Sequence, residues 1–221
     1  MIEHVRSDRV GSISTTMSTE SNSNKTTIPA PYVFSPAQTW EGNDGSWSTF
    51  YVRVGTPSQN FRVLVSTAAN SLVIPHPQGC GNDYAECGPL RGVTPFNNAN
   101  SNGFQVNESS TWESIGLFNL GLEEGLGYVN NSGLFGFDTV GLQIQNSGGL
   151  DNITHQLVSA YATKDFYHGF VGLDPRPANF STFDDPQPSF MHSLRSQDLI
   201  PSMAFGYTAG APYRRFSFLP I

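Results

Sequence analysis

The fold of this chain is decided by residues 65–75, which read VSTAANSLVIP. They follow the apolar and β-branched run at residues 61–65, FRVLV, which predicts a strand that delivers Ser66 to its end. The small and polar residues after it predict a loop, because Ser, Thr and Asn favour turns. Leu72, Val73 and Ile74 predict a second short strand, which Pro75 ends. The stretch therefore predicts a strand–loop–strand unit with Ser66 at the entrance to the loop.

The sequence upstream of this unit shows the same alternation of strands and turns. Residues 50–54, FYVRV, alternate as a half-buried strand, and residues 55–58, GTPS, predict the turn that follows it. From Tyr32 onward, short β-branched and aromatic runs are separated by Gly, Pro and Asn. This pattern predicts an all-β domain, and a chain of 221 residues is long enough to give it a sizeable core.

Residues 54–61 and 65–75 together resemble the first active-site region of the pepsin-like aspartic proteases. That family reads I-G-T-P-P-Q, then a short spacer, then D-T-G-S-S-x-L-W-V-P. The two stretches align without a gap, but Ser66 stands at the family's catalytic aspartate and Ala68 at its glycine. Thr67 keeps the family's threonine, whose hydroxyl helps to lock the active-site loops, and here we expect a plain structural hydrogen bond.

The serine at position 66 removes the chemistry that the resemblance would otherwise imply. An aspartic protease uses two carboxylates that share one proton, one to activate water and one to polarise the scissile carbonyl. The sequence contains no D-T-G or D-S-G. No G-x-S-x-G surrounds Ser66 and no histidine is tied to it by motif, so we expect its hydroxyl to bond nearby backbone rather than act as a nucleophile. We therefore predict no catalytic residue here.

Later segments follow in the family's order. Residues 107–112, NESSTW, resemble its S-S-T-Y/W, and residues 118–120 and 133–140 resemble the two flanks of its flap hairpin. The flap tyrosine would fall near Leu122, and Tyr128, inside a longer hairpin, is the alternative candidate. Asp138 belongs to the flap strand in this alignment and is not nominated as catalytic.

The resemblance continues toward the C-terminus. Residues 169–173, GFVGL, resemble the family's D-G-I-L-G-L strand, which threads beside the active-site loop and needs a glycine for close backbone approach. His168 stands where the family has aspartate. Residues 188–200 predict a short amphipathic helix with Phe190 and Leu194 on one face, and residues 203–207 predict the strand after it.

The resemblance spans about residues 35–210 and implies a single N-terminal lobe of the pepsin fold. Such a lobe is a six-stranded-type β-barrel or sandwich with a flap hairpin and one or two short helices. We assign residues 32–213 to this domain. Residues 1–31, rich in Ser, Thr and Asn, are predicted to be a disordered tail, and residues 214–221 are an unrelated tail.

Cys80 and Cys87 are the only cysteines. An even count at short spacing suits a disulfide loop of an oxidising compartment, with two free thiols as the alternative. The resemblance supports the loop, because pepsin-like enzymes often have a short cystine loop just after L-W-V-P.

Five N-x-[ST] sequons stand at Asn24, Asn107, Asn130, Asn152 and Asn179. The last four predict glycans on surface loops if the chain enters the secretory pathway. The family, the cysteine pair and the sequons imply an extracellular or cell-surface protein, whereas no apolar signal segment follows Met1 or Met17. The sequence leaves this conflict open.

Charge and motif content argue against several classes of function. The net charge is −7 and the 11 Lys and Arg residues do not cluster, which argues against nucleic acid as a partner. No apolar run approaches the roughly 20 residues of a transmembrane helix. The five histidines lack metal-ligand spacing, and residues 121–127, GLEEGLG, lack the spacing of a phosphate-binding loop. We expect no cofactor and no metal.

Three hypotheses about function follow. The first is a proteolytically inactive homologue of aspartic endopeptidases that binds extended peptide or cell-wall material in its half-cleft. The second is a fragment of a two-lobed aspartic-type endopeptidase whose partner is a missing C-terminal lobe. The third, a protease assembled from two copies, would need an aspartate that Ser66 replaces in each copy. Whether the chain is an enzyme therefore stays open at this point.

Overall fold

The computed structural model describes residues 28–31, 33–34, 36–41, 47–81, 86–121, 131–142, 153–163, 166–180, 185–207 and 219–220. The architecture is all-β, as the sequence predicts. The described strands are β1 (Val33–Phe34), β2 (Pro36–Glu41), β3 (Trp47–Val54), β4 (Gln59–Ser66), β5 (Leu72–Pro75), β6 (Glu113–Asn119), β7 (Ser132–Leu142), β8 (Ile153–Tyr161), β9 (Phe170–Gly172) and β10 (Leu219–Pro220). The described α-helices are α1 (Cys87–Leu90) and α2 (Phe190–Ser196).

Six strands close into a barrel. The main sheet has the order β2-β3-β4-β9-β5-β8-β7-β6, and an additional antiparallel pairing joins β3 to β7. The ring is therefore β3-β4-β9-β5-β8-β7, with β2 attached outside β3 and β6 outside β7. Closure matters for stability because strands inside a ring have no unpaired edge.

The barrel interior holds the main hydrophobic core. Along β3 the burial alternates after Phe50, with Val52 and Val54 fully buried and the residues between them half-buried. This is the period of two expected for a strand with one face in the core. All four residues of β5 are buried, which fits a strand covered on both faces. A smaller cluster around Phe135 and Leu157 lies beside the main one.

Helix α2 packs against β8 and β9 and confirms the amphipathic helix predicted there. Its N-cap is Ser189, whose hydroxyl accepts a hydrogen bond from the backbone N–H of His192 at 3.1 Å. Phe190 and Leu194 are fully buried, whereas His192 is exposed. Among the described residues, no helix is long and apolar enough to cross a membrane.

The cysteine pair forms the predicted disulfide, Cys80–Cys87. Beside it lies Arg91, only 3% exposed, whose guanidinium donates to the carbonyl of His76 at 3.2 Å and stands 4.8 Å above the Tyr161 ring. Burial, and then the nearby Arg91 charge, lower the pKa of His76. The disulfide therefore lies beside a cation that is packed on an aromatic ring.

Two predictions of secondary structure are wrong. Residues 203–207 form no strand and are exposed, because no described strand lies beside them to complete a ladder. The Asn, Gly and Pro content of residues 81–103 predicts a long loop, but this region contains α1, in which the Leu90 N–H donates to the Glu86 carbonyl at 3.1 Å. Within the predicted C-terminal tail, β10 pairs antiparallel with β1.

Candidate functional site

The candidate site is the loop from β4 to β5, which begins at Ser66, the last residue of β4. Ser66 is half-buried, whereas Thr67 and Ala68 are exposed. The Ser66 hydroxyl accepts a hydrogen bond from the Ala68 backbone N–H at 3.2 Å, which matches the local bond expected from the sequence. A serine favours this turn because its oxygen satisfies a backbone donor two residues further on.

Strand β9 threads between the two strands that carry this loop. It pairs parallel with β4, where Gly172 lies opposite Ser66, and antiparallel with β5, where Val171 lies opposite Leu72. A Cβ on Gly172 would stand 2.4 Å from both the carbonyl carbon and the oxygen of Ala69. The backbones can approach this closely only because residue 172 has no side chain, which confirms the predicted role of the glycine.

The backbone of the loop is held from outside. Four N–H groups donate to its carbonyls, at 2.8, 2.9, 2.8 and 3.0 Å: Leu173 to Ser66, Asp174 to Ala69, Phe190 to Asn70, and Gly172 to Ser71. The Asn70 side chain also donates to the Pro177 carbonyl at 3.1 Å. The loop is therefore fixed by β9, by the segment after it and by the first turn of α2.

Asp174 is the carboxylate next to this loop. Arg176 donates to it from the backbone N–H, at 2.9 Å to Oδ1, and from the guanidinium, at 2.9 and 2.5 Å to Oδ2. Hydrogen bonds from the Arg176 side chain lower the pKa of Asp174. A carboxylate that is kept ionised by such hydrogen bonds is poorly suited to share a proton with another carboxyl group.

The loop therefore carries hydroxyl and backbone groups but no acid or base. The structural hydrogen bond expected of Thr67 is not found, because its exposed side chain bonds none of the described residues. The carbonyls of the exposed residues Thr67 and Ala68 accept no hydrogen bond from the described residues either. The arrangement can bind a ligand but offers nothing to transfer a proton.

A buried network joins the turn between β3 and β4 to β7 through Asp138, which is 1% exposed. The carboxylate accepts from Ser109 Oγ at 2.9 Å, Thr111 Oγ1 at 2.5 Å and the Thr139 N–H at 2.7 Å. Ser109 Oγ in turn accepts from the Thr56 N–H at 3.1 Å. These contacts fix the segment at Ser109 and the turn between β3 and β4 against β7.

A second cluster lies on the outer side of β4, where Glu41 stands between Arg62 and His168. Arg62 Nε bonds one oxygen of Glu41, and His168 Nε2 lies 3.3 Å from the other. Burial opposes ionisation of Glu41, but its close contact with His168 and its hydrogen bond from Arg62 outweigh burial and lower the pKa of that carboxyl. The side chains are only 10–15% exposed. The cluster therefore ties β2 to the strands that carry the loop.

The remaining predicted positions divide into two groups. Asn107 and Asn179 are exposed. The flap candidates Leu122 and Tyr128 and the sequons at Asn24, Asn130 and Asn152 lie outside the described residues. Within the described ranges, no group of His, Cys, Asp or Glu could hold a metal ion.

Sequence reasoning missed two groups near the site, Asp174 with Arg176 and Arg91 with its aromatic platform. The first carries a local signal, because an aspartate two residues before an arginine can form a side-chain ion pair across a turn. Arg91 carries none, since its partners at positions 76 and 161 are distant in sequence.

No protein-family model matches the chain, and no curated protein matches it. The functional assignment therefore rests on the residues and geometry of the chain itself.

Proposed function

We propose that this chain is a single lobe of the pepsin-like fold that lacks proteolytic chemistry and binds extended peptide or cell-wall material. The observation that carries the proposal is the threading of β9 beside the loop at Ser66. The motif that matches the family's D-T-G lies on the loop, and the motif that matches its G-I-L-G-L lies on the threading strand. Two matches that are far apart in sequence but meet in space support the family more strongly than either match alone.

The proposed lack of proteolytic activity rests on the groups in and beside the loop. Ser66 takes the position of the catalytic aspartate and its hydroxyl oxygen is used by the Ala68 N–H. The adjacent carboxylate, Asp174, is paired with Arg176. A shared-proton pair needs two carboxyls close together, one of them protonated. The loop provides neither, so general acid–base hydrolysis has no proton carrier here.

The proposed binding of a ligand rests on the backbone of the exposed residues Thr67 and Ala68. The carbonyls of Thr67 and Ala68, which accept no hydrogen bond from the described residues, can accept hydrogen bonds from the amides of an extended chain or from the hydroxyls of a polysaccharide. The loop is held rigidly on its inner side, so binding costs little ordering of the protein. Small exposed side chains at these positions leave room for a ligand to approach.

The test compares two lysine variants. Ala68→Lys places a long charged side chain over the candidate site, while Ala99→Lys makes the same change at another exposed loop alanine. Binding of an extended peptide set, of chitin and of β-glucan is measured by calorimetry, and casein cleavage is measured between pH 3 and 6. We expect Ala68→Lys to weaken binding at least tenfold, or about 1.4 kcal/mol, with Ala99→Lys unchanged.

Two results would overturn the proposal. Cleavage at acid pH that a pepstatin-type inhibitor blocks would show that the chain has retained catalysis. Absence of binding to every peptide and polysaccharide would remove the binding role.

One observation favours the alternative, a fragment of a two-lobed endopeptidase. Residues 202–207 are all exposed, and Met203, Phe205 and Tyr207 place apolar side chains at alternate positions. That is the pattern of a strand without its neighbour. A C-terminal lobe would supply the neighbour and cover these side chains. The intact mass of the native protein, with and without reduction, separates the two proposals, because the alternative requires a longer species.

The cellular location belongs to the same proposal. A disulfide next to a buried arginine favours an oxidising compartment, so we propose a secreted or cell-surface protein.

A further inference from the structure

Two asparagines on the described surface stand in N-x-S motifs. Asn107 lies in a short 3-10 turn, Val106–Glu108, and Asn179 follows Ala178, which pairs in an isolated bridge with Gln187. Both asparagines are exposed. Neither side chain bonds any of the described residues, so a sugar attached to either would not displace a contact in that part of the chain.

Other asparagines are unsuitable for reasons that the structure shows. The Asn70 side chain donates to a carbonyl, and the Asn119 side chain accepts from the Gly121 N–H at 2.7 Å. Asn100 is exposed but is followed by Ser101 and Asn102, which do not complete a sequon. Exposure and motif therefore coincide at Asn107 and Asn179.

We propose that Asn107 and Asn179 carry N-linked glycans, and that Asn107 receives its glycan before its segment folds. In the transfer, the amide nitrogen of asparagine forms a bond to C1 of the donor sugar. The bond from C1 to the diphosphate leaving group of a lipid-linked sugar donor breaks, and one amide proton passes to a base of the transferase. The product is a neutral glycosyl amide on the protein surface.

The timing follows from Ser109, the third residue of the Asn107 sequon. Its hydroxyl donates to Asp138 at 2.9 Å and accepts from the Thr56 N–H at 3.1 Å. A Cβ on Gly55 would lie 2.9 Å from the same oxygen, so the hydroxyl is also enclosed. A transferase must contact the sequon hydroxyl, and in the folded protein that hydroxyl is engaged with a buried carboxylate. Recognition therefore has to precede folding of this network.

The first experiment measures site occupancy. The full chain is directed through a eukaryotic secretory pathway, then treated with N-glycosidase in isotopically heavy water, which marks each formerly glycosylated asparagine. We expect marked residues at positions 107 and 179. Asn107→Gln and Asn179→Gln should each remove one glycan from the intact mass, and the control Asn100→Gln should remove none. A secreted, oxidised protein with an unmodified asparagine at either position overturns the proposal for that position.

The second experiment tests the timing. Unglycosylated chain, either folded and oxidised or reduced and unfolded, is offered to an oligosaccharyltransferase with its lipid-linked donor. We expect modification of Asn107 in the unfolded chain and at least a tenfold lower yield in the folded one. Equal yields from the two forms would overturn the order of events. Ser109→Ala, which removes the sequon, should abolish modification of Asn107 in both forms.

Discussion

Gly172→Ala is the substitution that most directly tests the threading of β9. The new methyl group would lie 2.4 Å from the Ala69 carbonyl carbon and oxygen and 2.5 Å from the Asn70 nitrogen. Side chains can rotate away from such contacts, but these are backbone atoms. The loop must therefore move, and it would strain the bonds from the Gly172 N–H to Ser71 at 3.0 Å and from Asp174 to Ala69 at 2.9 Å.

The expected loss of stability can be estimated from these contacts. Overpacking of a well-packed interior costs about 1–3 kcal/mol. Weakening two backbone hydrogen bonds adds about 1 kcal/mol each. We therefore expect Gly172→Ala to lower the free energy of unfolding by about 3–5 kcal/mol, against about 5–15 kcal/mol for a typical domain. For a chain of this size, that loss lowers Tm by about 6–20 °C.

The assay is urea unfolding followed by tryptophan fluorescence and circular dichroism, with a thermal scan as a second measurement. Thr67→Ala is the matched control, because Thr67 is on the same loop but exposed, and it should change stability by less than about 0.5 kcal/mol. If Gly172→Ala stays within about 1 kcal/mol of the unmodified protein, β9 does not lie against the loop as described. Gly169→Ala gives an independent check, because its Cβ would lie 2.1 Å from the Val73 oxygen.

Three further predictions concern the groups that support the site. The interactions of Glu41 with His168 and Arg62 lower the pKa of its carboxyl, so its stabilising contribution is present above the unfolded pKa near 4.5 and is lost as the pH falls through the folded value. Glu41→Gln should be less stable at pH 7 by about 2 kcal/mol, and denaturation at pH 7 and 3 should show a smaller acid loss than in the unmodified protein. Replacing Cys80 and Cys87 with alanine should lower the unfolding free energy by about 2–3 kcal/mol, from the closure entropy of a loop with a separation of 7 residues; an unchanged urea midpoint would contradict this. Asp138→Asn turns an acceptor oxygen into a donor that faces other donors and should cost about 2–3 kcal/mol, whereas Asp198→Asn, whose side chain is 80% exposed, should be near neutral in the same assay.

Much of the local structure could be predicted because its causes lie close together in the chain. The alternating residues 50–54 predicted β3, the apolar and β-branched run FRVLV predicted β4, and Pro75 marked the end of β5. The spacing of Phe190 and Leu194 was sufficient for α2, since both face the core one turn apart. The same reasoning failed at residues 203–207, because an alternating pattern becomes a strand only where a neighbouring strand accepts its hydrogen bonds.

The candidate site itself was predictable only in part. The hydrogen bond between Ser66 and Ala68 joins residues two positions apart, so it could be predicted from the sequence. The pairing of Asp174 with Arg176 is also local, but nothing in the sequence placed it beside the loop.

The sequence by itself determined the all-β class, the strand–loop–strand unit at Ser66 and the absence of an aspartate in that loop, and it left Cys80 and Cys87 as the one possible disulfide pair within the chain. These follow from residue type and short spacing, which act through backbone preference and chain connectivity. Only the tertiary structure decided that β9 inserts between β4 and β5, and that six strands close into a barrel through β3 and β7. Both depend on pairs of residues that lie about 100 positions apart in the sequence. Packing of the whole core selects these pairs, and no local preference does.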